Sequence, residues 1–363
     1  MENVIQQLAA TIREAAKQKR PLCIRGGGTK DFYGGTLHGY KINTVDYRGI
    51  VGYEPTELVI TARAGTPLAE IEAALREKGQ MLAFEPPHYG PGATLGGCVA
   101  AGLSGPRRAY SGAVRDFVLG VRLLDGRGSN LKFGGQVMKN VAGYDVSRLI
   151  VGSLGTLGML LEVSLKVLPL PASEATLHLK CGEAEAISLM NKWAAQPLPI
   201  TATAFRNDDL GVRLSGARSA VEAAIKKLGG TLVDPAQAER FWAGVRDQTD
   251  PFFKTDLPLW RLSIKPTTPP LDLAGKQLIE WSGALRWLKS GVDAKTVREV
   301  ASRGGGHATL FRGGDKSAGV FHPLAPALMK IHRRLKQTFD PAGILNPGRM
   351  YDFEGLGTRM SEE

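Results

Sequence analysis

Residues 25–35 read R-G-G-G-T-K-D-F-Y-G-G and constrain this chain more than any other stretch. Three consecutive glycines, Gly26, Gly27 and Gly28, follow a short apolar segment, residues 21–24. Glycine reaches φ > 0 and has no Cβ to hold a ligand away from the backbone. A glycine run after a strand can therefore turn its N–H groups inward around an anion. Arg25 and Lys30 add positive charge on both sides. Taken alone, a triple glycine is better explained by a flexible turn, so the rest of the chain has to decide.

The chain has 363 residues, enough for two domains of ordinary size. Most of its 45 glycines lie before residue 160, which suggests a glycine-dependent ligand domain followed by a more ordinary one. The net charge of +11 is scattered, with short clusters such as Lys17, Lys19 and Arg20 or His332, Arg333 and Arg334. No nucleic-acid module accompanies it, so the charge points to anionic ligands and a protein partner. Cys23, Cys98 and Cys181 are odd in number and far apart, which argues against a disulfide framework, a zinc site or a cluster site and for reduced thiols. No metal is expected. The N-terminus lacks the apolar core of a signal peptide, and residues 149–171 are too interrupted for a membrane span.

Periodicity predicts a helix over 2–19, a strand over 22–24, a strand over 58–64 and a helix over 68–78 with Thr66 as its cap and Pro67 at its first position. A short strand follows at 81–84. Thr94 caps a helix starting near Leu95, and strands over 117–124 and 131–133 flank the Asp125-Gly126 turn. A strand over 159–168 ends at Pro169 and Pro171. Beyond it, strands at 176–179, 201–205, 212–214, 259–264, 283–288 and 309–312 alternate with helices at 183–194, 219–228, 236–245 and 295–302. That pattern predicts an α+β unit with a largely antiparallel sheet. A long helix over 323–338 leads into F-D-P-A-G-I-L-N-P-G-R.

Two further glycine-rich regions, 86–112 and 152–158, turn the first loop from a turn into part of a set. G-x-x-x-x-G-K-[ST] is absent, which argues against a P-loop, and the loop at 26–28 lacks the spacing of a Rossmann G-x-G-x-x-G. Several separated glycine segments suit a long dinucleotide approached by backbone from several sides. The ordered motifs R-G-G-G-T-K (25–30), G-A-T-L-G-G (92–97), Y-S-G-A-V-R-D (110–116), K-N-V-A-G-Y-D (139–145), G-S-L-G-T-L-G (152–158) and the terminal F-D-P-A-G-I-L-N-P-G resemble the vanillyl-alcohol-oxidase-type, or PCMH-type, FAD-binding family. Within it they are most similar to the FAD-binding subunits of bacterial glycolate oxidase complexes.

The resemblance implies an α+β fold: a PCMH-type FAD domain of two α+β subdomains (1–171), an α+β cap domain with a largely antiparallel sheet (172–322), a C-terminal helix and N-P-G segment returning to the FAD domain (323–350), and a tail (351–363). It implies FAD held by Arg25, Gly26, Gly27, Gly28, Thr29 and Lys30 at the pyrophosphate. Pro87, Gly92, Ala93, Thr94, Gly96, Gly97, Gly102, Ser104, Gly105, Tyr110, Gly112, Gly143 and Tyr144 would line the middle of the groove. Gly152, Gly155, Gly158 and Leu160 would serve the adenosine side, with Asn346 close to the flavin. Relatives with covalently attached flavin carry His after the first glycine run. Thr29 and Lys30 stand there instead, so non-covalent FAD is expected.

The resemblance also implies oxidation of glycolate, a small anionic 2-hydroxy acid, together with a second flavin subunit and an iron–sulfur subunit. It implies a cytoplasmic location, with any membrane association running through those partners. Two departures matter. Leu154 replaces the Glu of related catalytic subunits, and their H-x-G-x-G-N-x-H motif is absent. Oxidising a hydroxy acid needs a base and a carboxylate anchor. His307 and Arg312 are the candidates, against the plainer readings of a strand histidine and an ordinary ion pair. Two alternatives therefore stay open: an FAD-bearing relay or assembly subunit with no turnover of its own, and a nicotinamide-dependent flavin reductase on the same fold.

Overall fold

The computed structural model describes residues 2–135 and 145–353. Helix α1 (Glu2–Lys17) buries Ile5, Ala9, Ile12 and Ala15 at helical spacing, against Leu22, Ile42, Leu124 and Leu345. Strand β1 (Leu22–Arg25) pairs in parallel with β2 (Tyr40–Asn43). A parallel pair needs a crossover of about a dozen residues. Here residues 26–39, the glycine-rich loop itself, form that crossover.

Next come β3 (Ile50–Glu54), β4 (Val59–Arg63), helix α2 (Leu68–Glu77) and the short β5 (Gln80–Met81). Helices α3 (Leu95–Ala101), α4 (Arg108–Ser111) and α5 (Val114–Phe117) lead to β6 (Val118–Leu124) and β7 (Asn130–Gly134). After α6 (Val146–Ile150) come β8 (Met159–Lys166) and β9 (Leu168–Pro169), the latter antiparallel to β5. Strands β3, β4, β8, β6 and β7, in that order, make an antiparallel five-stranded sheet. Its apolar face packs Ile60, Val121, Leu123 and Val163 against Leu68, Ile71 and Leu75 of α2 and Leu95 and Val99 of α3.

The second half contains β10 (Ser173–Lys180), α7 (Glu183–Ala194), β11 (Ile200–Arg206), β12 (Asp209–Gly216), α8 (Arg218–Leu228), β13 (Thr231–Leu232) and α9 (Pro235–Arg246). It continues with β14 (Leu259–Ser263), β15 (Lys276–Glu280), β16 (Leu285–Lys289), α10 (Ala294–Arg303) and β17 (His307–Arg312). Its strands form one eight-stranded sheet ordered β13-β10-β12-β11-β15-β16-β14-β17, with every pair antiparallel. One face carries α10 through Trp260, Leu262, Val297 and Leu310. The other carries Leu259, Leu278, Trp287 and Phe311 toward the glycine-rich half.

Helix α11 (Pro326–Phe339) returns to the first half. Phe339 enters the core of the five-stranded sheet, and the chain beyond it bridges in parallel from Leu345 to Leu22. Buried Lys336 fixes this return, donating to Asp340 Oδ2 (2.6 Å), Leu345 O (2.7 Å) and Thr156 O (2.9 Å).

Three sequence expectations are corrected. Thr66 does not cap α2; Pro67 occupies the cap position, and the Thr66 hydroxyl accepts from Gly49 N at 2.9 Å. The strand expected over 81–84 is only the two-residue β5, because residues 82–84 turn away as Phe84 packs on Phe117. Strands β2, β3 and β15 had no strong period-2 signal and were not expected; β3 is an edge strand with a largely exposed burial pattern. Thr94 does cap α3, accepting from Gly97 N at 3.2 Å, and the Asp125-Gly126 turn does join an antiparallel pair.

Candidate cofactor-binding site

β1 delivers the glycine loop at the edge of the first half, and three segments close over it. A Cβ on Gly26 would collide with Thr94 Oγ1, and one on Gly27 with the Gly92 carbonyl. Gly28 sits at φ +74°, where Asp31 N bonds back to its carbonyl at 3.1 Å. Arg25 Nε donates to Asp31 Oδ2 at 2.6 Å, a charge clasp across the loop. Arg349, just after the N-P-G turn, donates to Lys30 O and Asp31 O (both 3.1 Å) and to Gly35 O. Lys316 donates to Phe32 O and Gly34 O at 3.0 and 2.8 Å. The sequence reading missed both anchors, although Arg349 closes the quoted terminal motif.

Asn346 ties the site together. Its Oδ1 accepts from Ile24 N at 2.7 Å, and its Nδ2 donates to Leu154 O at 2.7 Å. β1, the G-S-L-G loop and the C-terminal segment therefore share one buried amide. Asn346 and Leu154 both adopt positive φ (43° and 52°), strain that these bonds hold in place. The amide is thus used up on backbone rather than turned toward a ligand.

The result is a continuous groove made of two clefts. The first is lined by Arg25 through Asp31 with Thr94, Gly97 and Arg349, the second by Gly96, Gly155, Gly158 and Leu160. Gly26, Gly97, Leu154 and Asn346 line both. Lys30, half-buried, points along the first cleft. Among the described residues its Nζ makes two long hydrogen bonds, 3.3 Å to His88 O and 3.4 Å to Thr29 Oγ1, and lies 5.4 Å over the Tyr89 ring, and burial lowers its pKa. Gly152 N bonds Val99 O and Leu154 N bonds Ala100 O, so the third glycine region is pinned on α3.

Several expected groove residues serve as scaffold instead. Gly102, at φ +67°, ends α3 and lies so near Gly152 that a Cβ would clash. Ala93 and Pro87 are buried in the wall, and Gly92 meets the glycine loop through its backbone. Ser104 Oγ accepts from Val114 N, and Gly112, at φ +103°, ends α4. Gly105 O accepts from Trp281 Nε1 at 3.0 Å, and Tyr110 shares a 2.7 Å hydrogen bond with Ser282, so both face the eight-stranded sheet. Gly143 and Tyr144 lie outside the described residues.

The groove opens beside an aromatic interface. Phe32, Tyr33 and Tyr89 from the first half meet Phe311, Trp287 and Phe321 from the second, with ring centroids 4.7–6.2 Å apart. Burial pushes the Tyr89 phenol well above its ordinary pKa, so it stays neutral. Arg312 lies 4.4 Å over the Phe32 ring and donates to Gln248 Oε1 at 2.9 Å. His307 is exposed at the other end of β17 from Arg312, five residues and roughly 17 Å away at strand rise. The two expected catalytic residues are therefore not brought together on one small substrate. Among the described residues no group of three or more His, Cys, Asp or Glu gathers into a metal site.

A groove walled by glycine backbone, with Arg25, Lys30 and Arg349 along it, fits a flat dianionic molecule. The comparisons name one. Residues 3–134 match the FAD binding domain family, and residues 313–350 match the C-terminal domain of FAD linked oxidases. The chain is 51% identical over 346 residues, 95% of its length and 97% of the other's, to glycolate oxidase subunit GlcE of Escherichia coli. It belongs to that family. It is therefore an FAD-binding flavoprotein of the oxidoreductase class. Glycolate oxidase subunit GlcD of Bacillus subtilis is 30% identical over 174 residues, 47% of this chain and 37% of that one. A D-lactate dehydrogenase of Anaerostipes hadrus is 30% identical over 175 residues, 47% of this chain and 36% of that one. The structure of an alkyldihydroxyacetonephosphate synthase shares the fold at TM-score 0.64 and 16% identity, covering 94% of this chain and 74% of that one. Among the described residues no helix is long and apolar enough to cross a membrane.

Proposed function

We propose that this chain is the flavin-bearing subunit of an assembly that oxidises glycolate to glyoxylate and passes the electrons to an iron–sulfur partner, beside a second flavin subunit. The full-length similarity to a glycolate oxidase subunit carries the reading. FAD, when bound, supplies the acceptor for the hydride from the substrate carbon. The chain's own residues do the rest. The glycine loop and the Arg25–Asp31 clasp hold the pyrophosphate, and Lys30 supplies charge without a carboxylate partner among the described residues. The aromatic interface excludes water beside the groove, which strengthens any charge interaction there. FAD is held without a covalent bond: Thr29 and Lys30 stand after the glycine run where covalently linked relatives carry His, and among the described residues neither cleft is lined by His, Cys or Tyr. Cys98, on α3, is buried, with its thiol pushed up to about 12 by that burial.

The purified assembly, mixed anaerobically with glycolate, should lose its flavin colour; an unchanged spectrum would refute the substrate. One observation favours the second reading, a relay subunit without turnover of its own: the aromatic packing that fills the interface beside the groove. Flavin in the isolated chain that resists glycolate, while the assembly bleaches, would select it.

A further inference from the structure

Arg312 and His307 were the residues the sequence offered for substrate, but Arg312 is already bonded and His307 stands at the far end of its strand. Another pair of cations has no such engagement. Arg108, on the short helix α4, lies 4.4 Å over the Trp281 ring, and Arg261, on β14, lies 5.2 Å over the same ring. Both guanidinium groups are half-buried, and neither makes a hydrogen bond or ion pair among the described residues. Burial first, and then the nearby Arg261, lowers the pKa of Arg108, against the smaller opposing effect of Asp116, which makes no ion pair with it. Glu280, the carboxyl within electrostatic reach of Arg261, is itself pushed up to about 8 by burial and so carries a proton at neutral pH. Two like charges thus share one indole, with no ionised carboxylate bonded to either.

The turn presenting that indole is strained and fixed from several sides. Trp281, Ser282 and Gly283 all adopt positive φ (54°, 55° and 99°). Two adjacent non-glycine residues in that region persist only where surrounding contacts over-determine them, and such strain clusters at ligand sites. Here Trp281 Nε1 bonds Gly105 O at 3.0 Å, Ser282 N bonds Thr203 Oγ1 at 3.0 Å, and Ser282 Oγ bonds Tyr110 OH at 2.7 Å. The turn therefore locks the glycine-rich half to the eight-stranded sheet and holds the ring within 4.4 Å of the Arg108 guanidinium and 5.2 Å of the Arg261 guanidinium. Arg261 shares the sheet face of Leu259 and Trp287, the face toward the groove, and its charge reaches Tyr33 and Tyr89 beside the glycine loop.

We infer that Arg108 and Arg261, held on Trp281, form the receptor for the carboxylate of a small 2-hydroxy acid at the junction of the two halves. A guanidinium matches a carboxylate with paired N–H donors, and a carboxylate offers acceptors for both cations at once. The inference rests on the glycolate reading and assigns its substrate anchor to residues that no motif marks. It gives a role to two cations that stand unpaired among the described residues at the solvent-reaching edge of the interface.

The test is calorimetric titration of the FAD-loaded full-length chain with oxalate, a carboxylate that cannot be oxidised as a 2-hydroxy acid, and with neutral glycolamide. Oxalate should bind and glycolamide should not. Arg108→Gln and Arg261→Gln should each weaken oxalate at least tenfold with FAD content unchanged, and Arg261→Lys should recover part of the loss. Arg312→Gln should change it less than threefold. Because Arg108 lies on a half-exposed four-residue helix, its variant keeps the test decisive should Arg261→Gln fail to fold. Equal oxalate binding by the parent and both Gln variants, or no binding by the parent, would overturn the inference. If oxalate binding is lost as expected but glycolate never bleaches the assembly, the carboxylate site stands and the glycolate reading falls.

Discussion

Two kinds of wall meet at the proposed FAD groove. The glycine-rich half builds its wall from backbone: loop amides, close Gly–Gly approaches and one shared asparagine amide. The eight-stranded half builds its wall from large side chains: Trp281, Trp287, Phe311 and the arginines stacked on aromatic rings. A backbone wall recognises what is common to every FAD. A side-chain wall can differ between relatives that share the fold, which fits the low identity of the chain's structural neighbours beside their overlapping shapes. On the proposed reading, cofactor and substrate specificity are separated onto different halves.

Breaking the backbone wall from behind should have the largest effect. Asp340 is fully buried, bonded to Lys336 Nζ at 2.6 Å and accepting from Leu345 N at 2.7 Å. D340A strands a buried ammonium and should cost about 3–5 kcal/mol in chemical denaturation, with FAD lost alongside. N346A should cost about 2–4 kcal/mol, because Ile24 N and Leu154 O both lose their partner. Fluorescence of released flavin should rise in the same melt. If N346A kept both stability and flavin, the three-segment tie would be wrong.

The side-chain wall should respond to pH instead. Glu280 is neutral in the fold, with its pKa raised from 4.5 to about 8, first by burial. It holds a proton that the unfolded chain releases near pH 4.5. Its contribution is therefore fully present below about pH 4.5 and is lost as pH rises through about 8. E280Q removes the titration while keeping the acceptor for Trp287 Nε1. Between pH 5 and 8 the parent should lose stability relative to E280Q by on the order of 1 kcal/mol per pH unit. Parallel stability curves would contradict a protonated Glu280. The smallest effect is expected at the helix that floors the groove: T94A removes the cap on Gly97 N and should cost about 1 kcal/mol in the melt.

The two walls also differ in how far they can be read in advance. Glycines are legible because a missing Cβ is itself the requirement: Gly27 against Gly92 and Gly102 against Gly152 leave no room for any other residue. The Thr94 cap was legible because capping is a local rule. Arg349, Lys316, Arg108 and Arg261 were not, because a cation in a basic chain carries no local mark of what it will meet. Arg349 reaches Lys30 and Asp31 only once the C-terminal segment has folded back on β1. β15 was missed for a related reason: its residues are arranged by neighbours on both sides in the sheet, β11 and β16, rather than by an alternating pattern of its own.

The central claim is a flavin held by backbone, without covalent attachment, in the groove begun by the glycine loop. The direct measurement is the visible absorbance of the purified chain, reconstituted with FAD and then precipitated with acid. A flavin spectrum before precipitation, with all of the colour moving to the supernatant afterwards, is the result predicted here. A chain that stays colourless after reconstitution, or colour that stays in the pellet, would contradict it.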